Sequence, residues 1–374
     1  KPLIGEDGQV QCTSCHDPHD NSFGQFLRTT TVSGTLCLSC HDPLDWAESS
    51  HATSAASWSG PRTGPKGPPD MNNVATFACR SCHVVHEAPA RQWLLHDESE
   101  EEVCYACHAG GPAQHDIRAE MRKWRSHDPS RARGARDPSI PPDGSRRAAE
   151  CVDCHNPHRS NPNPGTEKVL SGALRGVSGL SGSATPVAVA TREYEVCYKC
   201  HADMAASDPN RIVRQADQAS ILMRLDPGNP SYHPVEAAGR NQDVPSLIPP
   251  LTPASIVTCG DCHGNDSPQG PKGPHGSRWD YLLRFQYETA DPSTESIAAY
   301  ALCYECHQRA SILSDQSFSG HRSHIVEKNA SCSVCHAAHG IDATVGDPQN
   351  NAHLINFNTA VVRPNSQGQL YFRD

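Results

Sequence analysis

The sequence has little material for an ordinary hydrophobic core. Hydrophobic residues make up 36% of its 374 residues, aromatic residues make up 6%, and there are only four methionines. With 31 prolines and 27 glycines, the chain is lean for a globular protein of this length. The polypeptide alone would bury too little apolar surface to offset its conformational entropy, so we expect another source of apolar surface.

Two further absences narrow the function. No run of about 18 apolar residues occurs, so no segment is expected to span a membrane. The formal net charge is −10, with 42 acidic and 32 basic side chains. Such an acidic chain is not expected to bind nucleic acid, which requires a basic surface.

No cysteine lies outside the pattern Cys-x-x-Cys-His, which occurs nine times and uses all 18 cysteines. Structural zinc or disulfides would not require a histidine at this fixed position. The pattern is the attachment signature of c-type haem, in which the two thiols bond to the porphyrin and the histidine binds the iron. The predicted attachment residues are Cys12, Cys15, Cys37, Cys40, Cys79, Cys82, Cys104, Cys107, Cys151, Cys154, Cys197, Cys200, Cys259, Cys262, Cys303, Cys306, Cys332 and Cys335. The predicted proximal ligands are His16, His41, His83, His108, His155, His201, His263, His307 and His336.

Nine haems c are therefore predicted, and they would supply the missing apolar surface. We expect a fold that is mostly coil with short α-helices and few β-strands, wrapped around a continuous haem chain. Local composition favours helices over residues 116–125, 211–225 and 293–309. It favours β-structure over residues 354–362 and 369–372.

The motifs form an internal repeat. The interval from His16 to Cys37 equals that from His83 to Cys104, and the first member of a pair tends to read Cys-x-x-Cys-His-x-x-His. This arrangement predicts a single nine-haem unit built of two-haem repeats. The repeats cover approximately residues 1–70, 71–145, 146–240 and 241–374, and the last one includes the ninth haem.

Each iron needs a second ligand, and histidine is the abundant candidate. The histidines outside the motifs outnumber the nine irons, whereas there are only four methionines. Four of these histidines follow a motif histidine by three residues, namely His19, His86, His158 and His339. Because the motif histidine is committed to its own haem, we expect the nearby histidine to bind the iron of a different haem. This spacing would hold two haems close together.

The remaining second ligands are chosen by local sequence. The candidates are His51, His127, His233, His275 and one of the neighbours His321 and His324, of which His324 is favoured. His96, His115 and His353 stay open, and a surplus histidine could bind an iron of a neighbouring subunit. Bis-histidine ligation lacks the thioether that raises the potential, so low reduction potentials are expected.

The chain resembles the surface multihaem cytochromes of metal-reducing bacteria in its doubled motifs and in the residues around them. The resemblance rests on residues 12–19, 79–86, 151–158, 231–234, 273–277 and 321–339. In that group the histidine three residues after a motif binds the iron of the partner haem, and neighbouring haems alternate between stacked and T-shaped contacts. Several members polymerise into extracellular filaments with haems continuous across subunit junctions, and the resemblance implies the same for this chain.

We expect an electron-transfer protein rather than an enzyme, because all nine motifs keep their histidine and an enzyme would need an open iron position. The expected form is an extracellular filament of head-to-tail copies that passes electrons to other redox proteins or to an extracellular acceptor. The alternatives are a monomeric electron shuttle in the periplasm or at the cell surface and, less favoured, a multihaem oxidoreductase with an open haem. Haem c is attached outside the cytoplasm, and the sequence begins without a methionine, so we expect a secreted chain that has lost its signal peptide.

Overall fold

The computed structural model of the protein describes residues 4–5, 8–57, 72–90, 92–131, 148–203, 212–216 and 220–372. The fold is mostly irregular chain with short helices and few small strands, as the sequence predicts. The α-helices of the described residues are α1 (Cys12–Cys15), α2 (Thr35–Leu38), α3 (Ser50–Thr53), α4 (Val74–Phe77), α5 (Glu100–His108), α6 (Ile117–Met121), α7 (Cys151–Cys154), α8 (Glu193–His201), α9 (Ile221–Leu225), α10 (Cys259–Cys262), α11 (Ala301–Tyr304), α12 (Arg309–Leu313) and α13 (Cys332–Cys335). Each of these helices is too short or too polar to cross a membrane.

Two-residue strands pair antiparallel in the described part of the chain. They are β1 (Arg125–Ser126), β2 (Gly179–Leu180), β3 (Pro186–Val187), β4 (Ser231–Tyr232), β5 (Gly276–Ser277) and β6 (Gly340–Ile341). β2 pairs with its neighbour β3, whereas β1 pairs with β5 and β4 pairs with β6. The last two pairs join segments that are more than 100 residues apart in sequence, so they tie the repeats to one another.

The spacing of the motif explains most of the shortest helices. Two residues three apart lie on the same side of a helix, so α1, α7, α10 and α13 each run from the first to the second cysteine of a motif. Acidic side chains cap two of them: Asp153 accepts from the backbone N–H of Glu150 at 2.8 Å, and Asp261 accepts from that of Thr258 at 2.7 Å. In α5 and α8 the motif instead forms the end of a helix of 9 residues.

The side chains form only small cores among the described residues. One cluster of buried residues joins Val177, Ala190 and Val196, and the other joins Tyr198, Ala202 and Leu225. Both clusters pack against α8. The other buried hydrophobic residues are scattered between the motifs. The described polypeptide therefore builds no large core of its own, in agreement with its lean composition.

The helices differ in extent from those that composition favoured. Over residues 116–125 the helix ends at Met121, because Arg125 and Ser126 pair with β5 instead. Over residues 293–309 the first half is not helical, since the N–H of Ser293 is bonded to the carbonyl of Asn329 at 2.7 Å. Over residues 211–225 only α9 forms, and residues 211 and 217–219 lie outside the described part.

The carboxyl-terminal segments are not strands, contrary to the expectation from composition. Asn358 forms an isolated antiparallel bridge with Arg214, and Thr359 donates its N–H to the carbonyl of Val213 at 2.9 Å. The side chain of the fully buried Asn356 accepts from the N–H of Ala216 at 2.9 Å. These bonds run antiparallel to residues 213–216, so residues 356–359 lie along that segment without forming a regular strand.

Candidate haem-binding sites

The motif histidines of the odd-numbered motifs, counted from the amino end, share one local arrangement. Four of them form an antiparallel bridge with a leucine or isoleucine, in the pairs His16–Leu27, His83–Leu95, His263–Leu283 and His336–Ile355. Their Nδ1 atoms bond to backbone carbonyl oxygens at 2.7–2.9 Å, those of Gln25, Trp93, Tyr281 and His353. His155 bonds in the same way to Ala173 at 2.9 Å. Because a carbonyl fixes the proton on Nδ1, Nε2 keeps its lone pair for a metal.

The loops that supply these carbonyls are strained. In four of them two consecutive residues are left-handed with φ between 51° and 65°, although none is glycine: Gln25-Phe26, Trp93-Leu94, Tyr281-Leu282 and His353-Leu354. Such a residue costs about 1–2 kcal/mol. Strain that recurs beside a motif histidine indicates a functional requirement for this loop geometry. These loops were not predicted from the sequence. Each of them ends in a leucine or isoleucine that directly follows another hydrophobic residue, and this pair was the signal that the sequence offered.

Seven motif histidines face a second histidine ring, and the ring centres are 6.0–6.3 Å apart in every pair. The pairs are His16–His86, His83–His158, His108–His51, His155–His275, His201–His127, His263–His339 and His336–His321. His307 has His233 as a neighbour. The pKa of His307 is lowered to about 4, mainly by burial and secondly by the nearby His233. Its Nδ1 lies 2.9 Å from the hydroxyl oxygen of Ser246.

The constant spacing fits a metal ion between the two imidazoles. Atoms in direct stacking contact would be about 3.5–4 Å apart. Two in-line bonds of about 2 Å from the ring nitrogens to one metal put the ring centres about 6 Å apart, as observed. The pKa values of His108 and His201 are each lowered to about 4, mainly by burial and secondly by the facing histidine. These imidazoles are therefore neutral at neutral pH, which is the form that binds a metal.

The histidines three residues after a motif face other motifs. His86, His158 and His339 each lie opposite the motif histidine of the preceding odd-numbered motif, and none lies opposite the histidine of its own motif. The fourth, His19, has a side chain that is 94% exposed, with its Nδ1 3.9 Å from the carboxylate of Asp17. The arrangement of the first three is the one that bis-histidine ligation between repeats requires.

Second histidines are held beside one another in three equivalent places. In each place the Nδ1 of one histidine bonds to the carbonyl of the residue immediately before another second histidine. These bonds run from His51 to Pro157 at 2.8 Å, from His127 to Pro274 at 2.9 Å and from His233 to Ala338. The β1–β5 and β4–β6 pairs align the last two places. These two strand pairs therefore position candidate ligands and do not extend into a larger sheet.

Glycine is required where β5 and β6 each approach a helix. A Cβ atom on Gly276 would lie 1.9 Å from the carbonyl oxygen of Glu120 in α6. On Gly340, whose φ is 149°, it would lie 2.1 Å from the carbonyl oxygen of Arg224 in α9. A side chain at either position would push the strand, and the histidine just before it, away from its helix.

The ninth motif histidine is faced by His321, whereas the sequence favoured His324. The His321 ring centre lies 6.3 Å from that of His336. The exposed His324 has its Nδ1 2.6 Å from the carbonyl oxygen of Gly320, in the π-helical turn Ser323–Glu327. Residues three apart on one turn share a side, so sequence spacing alone could not distinguish these two.

One motif histidine, His41, faces no second histidine within the described residues. It lines an open cavity of ≈ 590 Å³ together with Trp46. The rings of the open candidates His96, His115 and His353 also pair with no motif histidine ring in the residues described, although His96 is near enough to His83 to help lower its pKa. His353 instead lies 2.6 Å from the amide nitrogen of Asn241 through Nδ1 and contributes its carbonyl to His336.

The thiols of consecutive motifs act on one another's pKa in chain order, which indicates that they are near one another, and the cysteines involved alternate. Between an odd-numbered motif and the next one, the second cysteines are neighbours, in the pairs Cys15–Cys40, Cys82–Cys107, Cys154–Cys200 and Cys262–Cys306. Between an even-numbered motif and the next one, the first cysteines are neighbours, in the pairs Cys37–Cys79, Cys104–Cys151, Cys197–Cys259 and Cys303–Cys332. We call this unbroken succession of nine neighbouring motifs the motif row.

Comparisons with known proteins agree with this geometry. The doubled CXXCH motif family matches residues 6–45 and 72–113, and the family of cytochrome c554 and c-prime matches residues 258–337. The multiheme cytochrome MtrA of Shewanella baltica (strain OS185) is 26% identical over 206 residues, which are 54% of this chain and 44% of that protein. The chain thus matches less than half the length of this relative. No solved structure is significantly similar to the chain.

The cysteines of each motif can attach a porphyrin, and the paired histidines can bind its iron from both faces. The families matched are defined by this chemistry, and the curated relative is a multihaem cytochrome. The chain is a multihaem c-type cytochrome, whose motifs bind haem c.

Proposed function

We propose that this cytochrome binds nine haems c and conducts electrons along them in the order of the motifs. The observation that carries the proposal is the motif row, in which every motif adjoins the next one through its thiols. Haem supplies an iron that takes up and releases one electron. The chain attaches each haem beside its neighbour, which keeps the distance between successive irons short.

The histidine pairs support an electron carrier rather than an enzyme. An enzyme needs a free position on an iron, and the facing histidines fill that position at His16, His83, His108, His155, His201, His263 and His336. His233 is placed to do the same at His307. Within the part of the chain that the structure describes, His41 has no facing histidine and would take a ligand from elsewhere.

The proposed stoichiometry can be measured directly. The intact protein should exceed its polypeptide mass by nine haems, and a pyridine haemochrome assay should count nine haems per chain. A matched control is the variant Cys104→Ala/Cys107→Ala, which should lower the count by one. A count of eight or fewer in the unmodified protein would contradict the proposal, because every motif has the same pair of thiols.

We further propose that copies join head to tail into an extracellular filament and that the junction completes the site of His41. In the motif row, His41 belongs to the amino-terminal end. The second histidines of the other even-numbered motifs each lie after the preceding even-numbered motif: His51 faces His108, His127 faces His201, and His233 adjoins His307. By the same pattern, the donor for His41 would follow a motif ahead of Cys12, so it is sought outside these nine motifs.

His324 is the equivalent donor at the opposite end of the row. It follows the eighth motif, and its context Arg322-Ser323-His324 repeats the Arg-Ser-His context of His127. It is exposed, and a carbonyl engages its Nδ1, as for His51, His127 and His233. A neighbour's His324 would reach His41 only if the carboxyl end of one copy meets the amino end of the next. Such a heterologous contact does not close and gives an open filament.

The junction can be tested with two histidine variants. His324→Ala should convert filaments into single copies with one five-coordinate iron, whereas His19→Ala should leave filaments intact. His19 lies at the same end of the row as His41, so donation from His19 would instead join two copies by their like ends into a closed dimer. Electron microscopy and sedimentation separate the two results. Dimers that are lost in His19→Ala, or single copies in the unmodified protein at every concentration, would refute the filament.

A further inference from the structure

Two glutamates, the buried Glu100 and the partly buried Glu193, cross between consecutive motifs at equivalent positions of the repeat. Glu100 accepts a hydrogen bond from the backbone N–H of Val152 at 3.2 Å, and Glu193 accepts one from that of Gly260 at 2.6 Å. Each glutamate is the first residue of a nine-residue helix that ends in an even-numbered motif. Each donating N–H belongs to the residue just after the first cysteine of the next motif. We call Glu100 and Glu193 the junction glutamates.

The junction glutamates lie where two attachment sites meet. Glu100 is four residues before Cys104, whose thiol is in hydrogen-bond contact with that of Cys151. Glu193 is four residues before Cys197, whose thiol is in the same contact with that of Cys259. Each carboxylate therefore lies beside two thiols that would carry different haems.

The surroundings shield each carboxylate from solvent, and hydrogen bonds hold it in place. Glu100 is 5% exposed. Burial raises the pKa of Glu193, while the hydrogen bonds from Gly260 and Thr258 act in the opposite direction and favour its ionised form. A backbone N–H donating to a carboxylate is a strong, charge-assisted bond, so it can fix the orientation of one motif relative to the next.

The other two junctions of this type lack a carboxylate at the equivalent position. Four residues before the first cysteine stand Ser33 ahead of the second motif and Ala299 ahead of the eighth. The motif row therefore has two acidic junctions in its middle and two non-acidic junctions towards its ends. This difference is a property of the side chains and does not follow from the motifs themselves.

We propose that Glu100 and Glu193 are positioning residues that lock the fourth motif to the fifth and the sixth to the seventh, and that their charge lowers the reduction potentials of the haems attached there. The physical reason is that a nearby negative charge in a water-poor site stabilises the oxidised iron, which carries one more positive charge than the reduced iron. The haems attached at the fourth to seventh motifs are then harder to reduce than they would be without these two carboxylates. The inference rests on the proposed nine-haem row.

Two variants of Glu193 separate the charge from the hydrogen bond. Glu193→Gln keeps an oxygen that can accept from Gly260 and removes only the charge. A spectroelectrochemical titration should then show an upward shift in the part of the curve that belongs to two haems. The expected shift is about tenfold in the reduction equilibrium, or about 59 mV for a one-electron couple. Glu193→Ala also removes the hydrogen bond, so it should additionally change the circular dichroism of the Soret band, which reports the relative orientation of neighbouring haems.

The control is Glu167→Gln, which removes an exposed carboxylate outside the junctions and should change neither signal. If Glu193→Gln titrates like the unmodified protein, the charge has no role and the potential part of the inference fails. If Glu193→Ala leaves the Soret dichroism unchanged, the positioning part fails. A haem count of nine in every variant keeps these outcomes separate from a failure of the proposed function, which would already appear as a lower count.

Discussion

Made without its haems, the chain is expected to remain unfolded. The buried side chains of the described residues form only two clusters of three, and the remaining buried residues are scattered between motifs. Chain entropy opposes folding by about 1–2 kcal/mol for each ordered residue, and these clusters are too small to offset it. The left-handed loops add to the cost, because four of the odd-numbered motif histidines need two strained residues each.

The measurement compares the same full-length chain produced with and without haem attachment. The haem-free chain should show a far-ultraviolet dichroism of irregular polypeptide, no cooperative thermal transition and rapid digestion by protease. The haem-loaded chain should resist the same protease treatment and unfold cooperatively. A protease-resistant, cooperatively unfolding haem-free chain would show that the polypeptide holds its fold by contacts other than those to haem.

Replacing His86 by alanine is expected to leave one iron without its second histidine. The ring of His86 lies 6.1 Å from that of His16 across the proposed iron position. Its loss should produce one five-coordinate, high-spin iron among nine, visible in the electronic absorption and paramagnetic resonance spectra. Added imidazole should restore the low-spin state, because it can occupy the space that the side chain leaves.

The control for this variant is His96→Ala. His96 lies ten residues further along the same segment and faces no motif histidine in the part of the chain described, so its removal should leave every iron low-spin. A high-spin signal from His96→Ala, or an unchanged spectrum of His86→Ala measured without imidazole, would mean that the histidine pairing differs from the one proposed.

Much of this arrangement could be predicted from the sequence, because attachment chemistry dictates residue type at fixed spacing. The motif alone identified the haem sites, and the lean composition indicated a mostly irregular chain. The three-residue offset predicted that His86, His158 and His339 would serve haems other than their own, and the structure places each opposite a distant motif histidine. That ligation remains a prediction until the irons are examined.

The rest depends on contacts that spacing does not encode. The choice between His321 and His324 is made by the course of one π-helical turn. Residues 293–300 carry helical composition, yet Ser293 donates its N–H to the distant carbonyl of Asn329 instead. The strained loops beside the motif histidines were not predicted, because local propensity argues against left-handed non-glycine pairs such as Trp93-Leu94. Only the long-range partner explains why such loops persist.

The histidine pairs also determine where the chain could be truncated without separating the two members of a pair. The ring facing His83 comes from residue 158, and the ring facing His155 comes from residue 275, so under the proposed ligation the second and third repeats each take a ligand from the next repeat. During synthesis from the amino end, an early site stays incomplete until much of the following repeat has emerged. A shortened chain that ends between repeats would carry at least one unfinished iron at its new end. The repeats are distinct in the sequence, but the histidine pairs interlock them in space, so they are not separable modules.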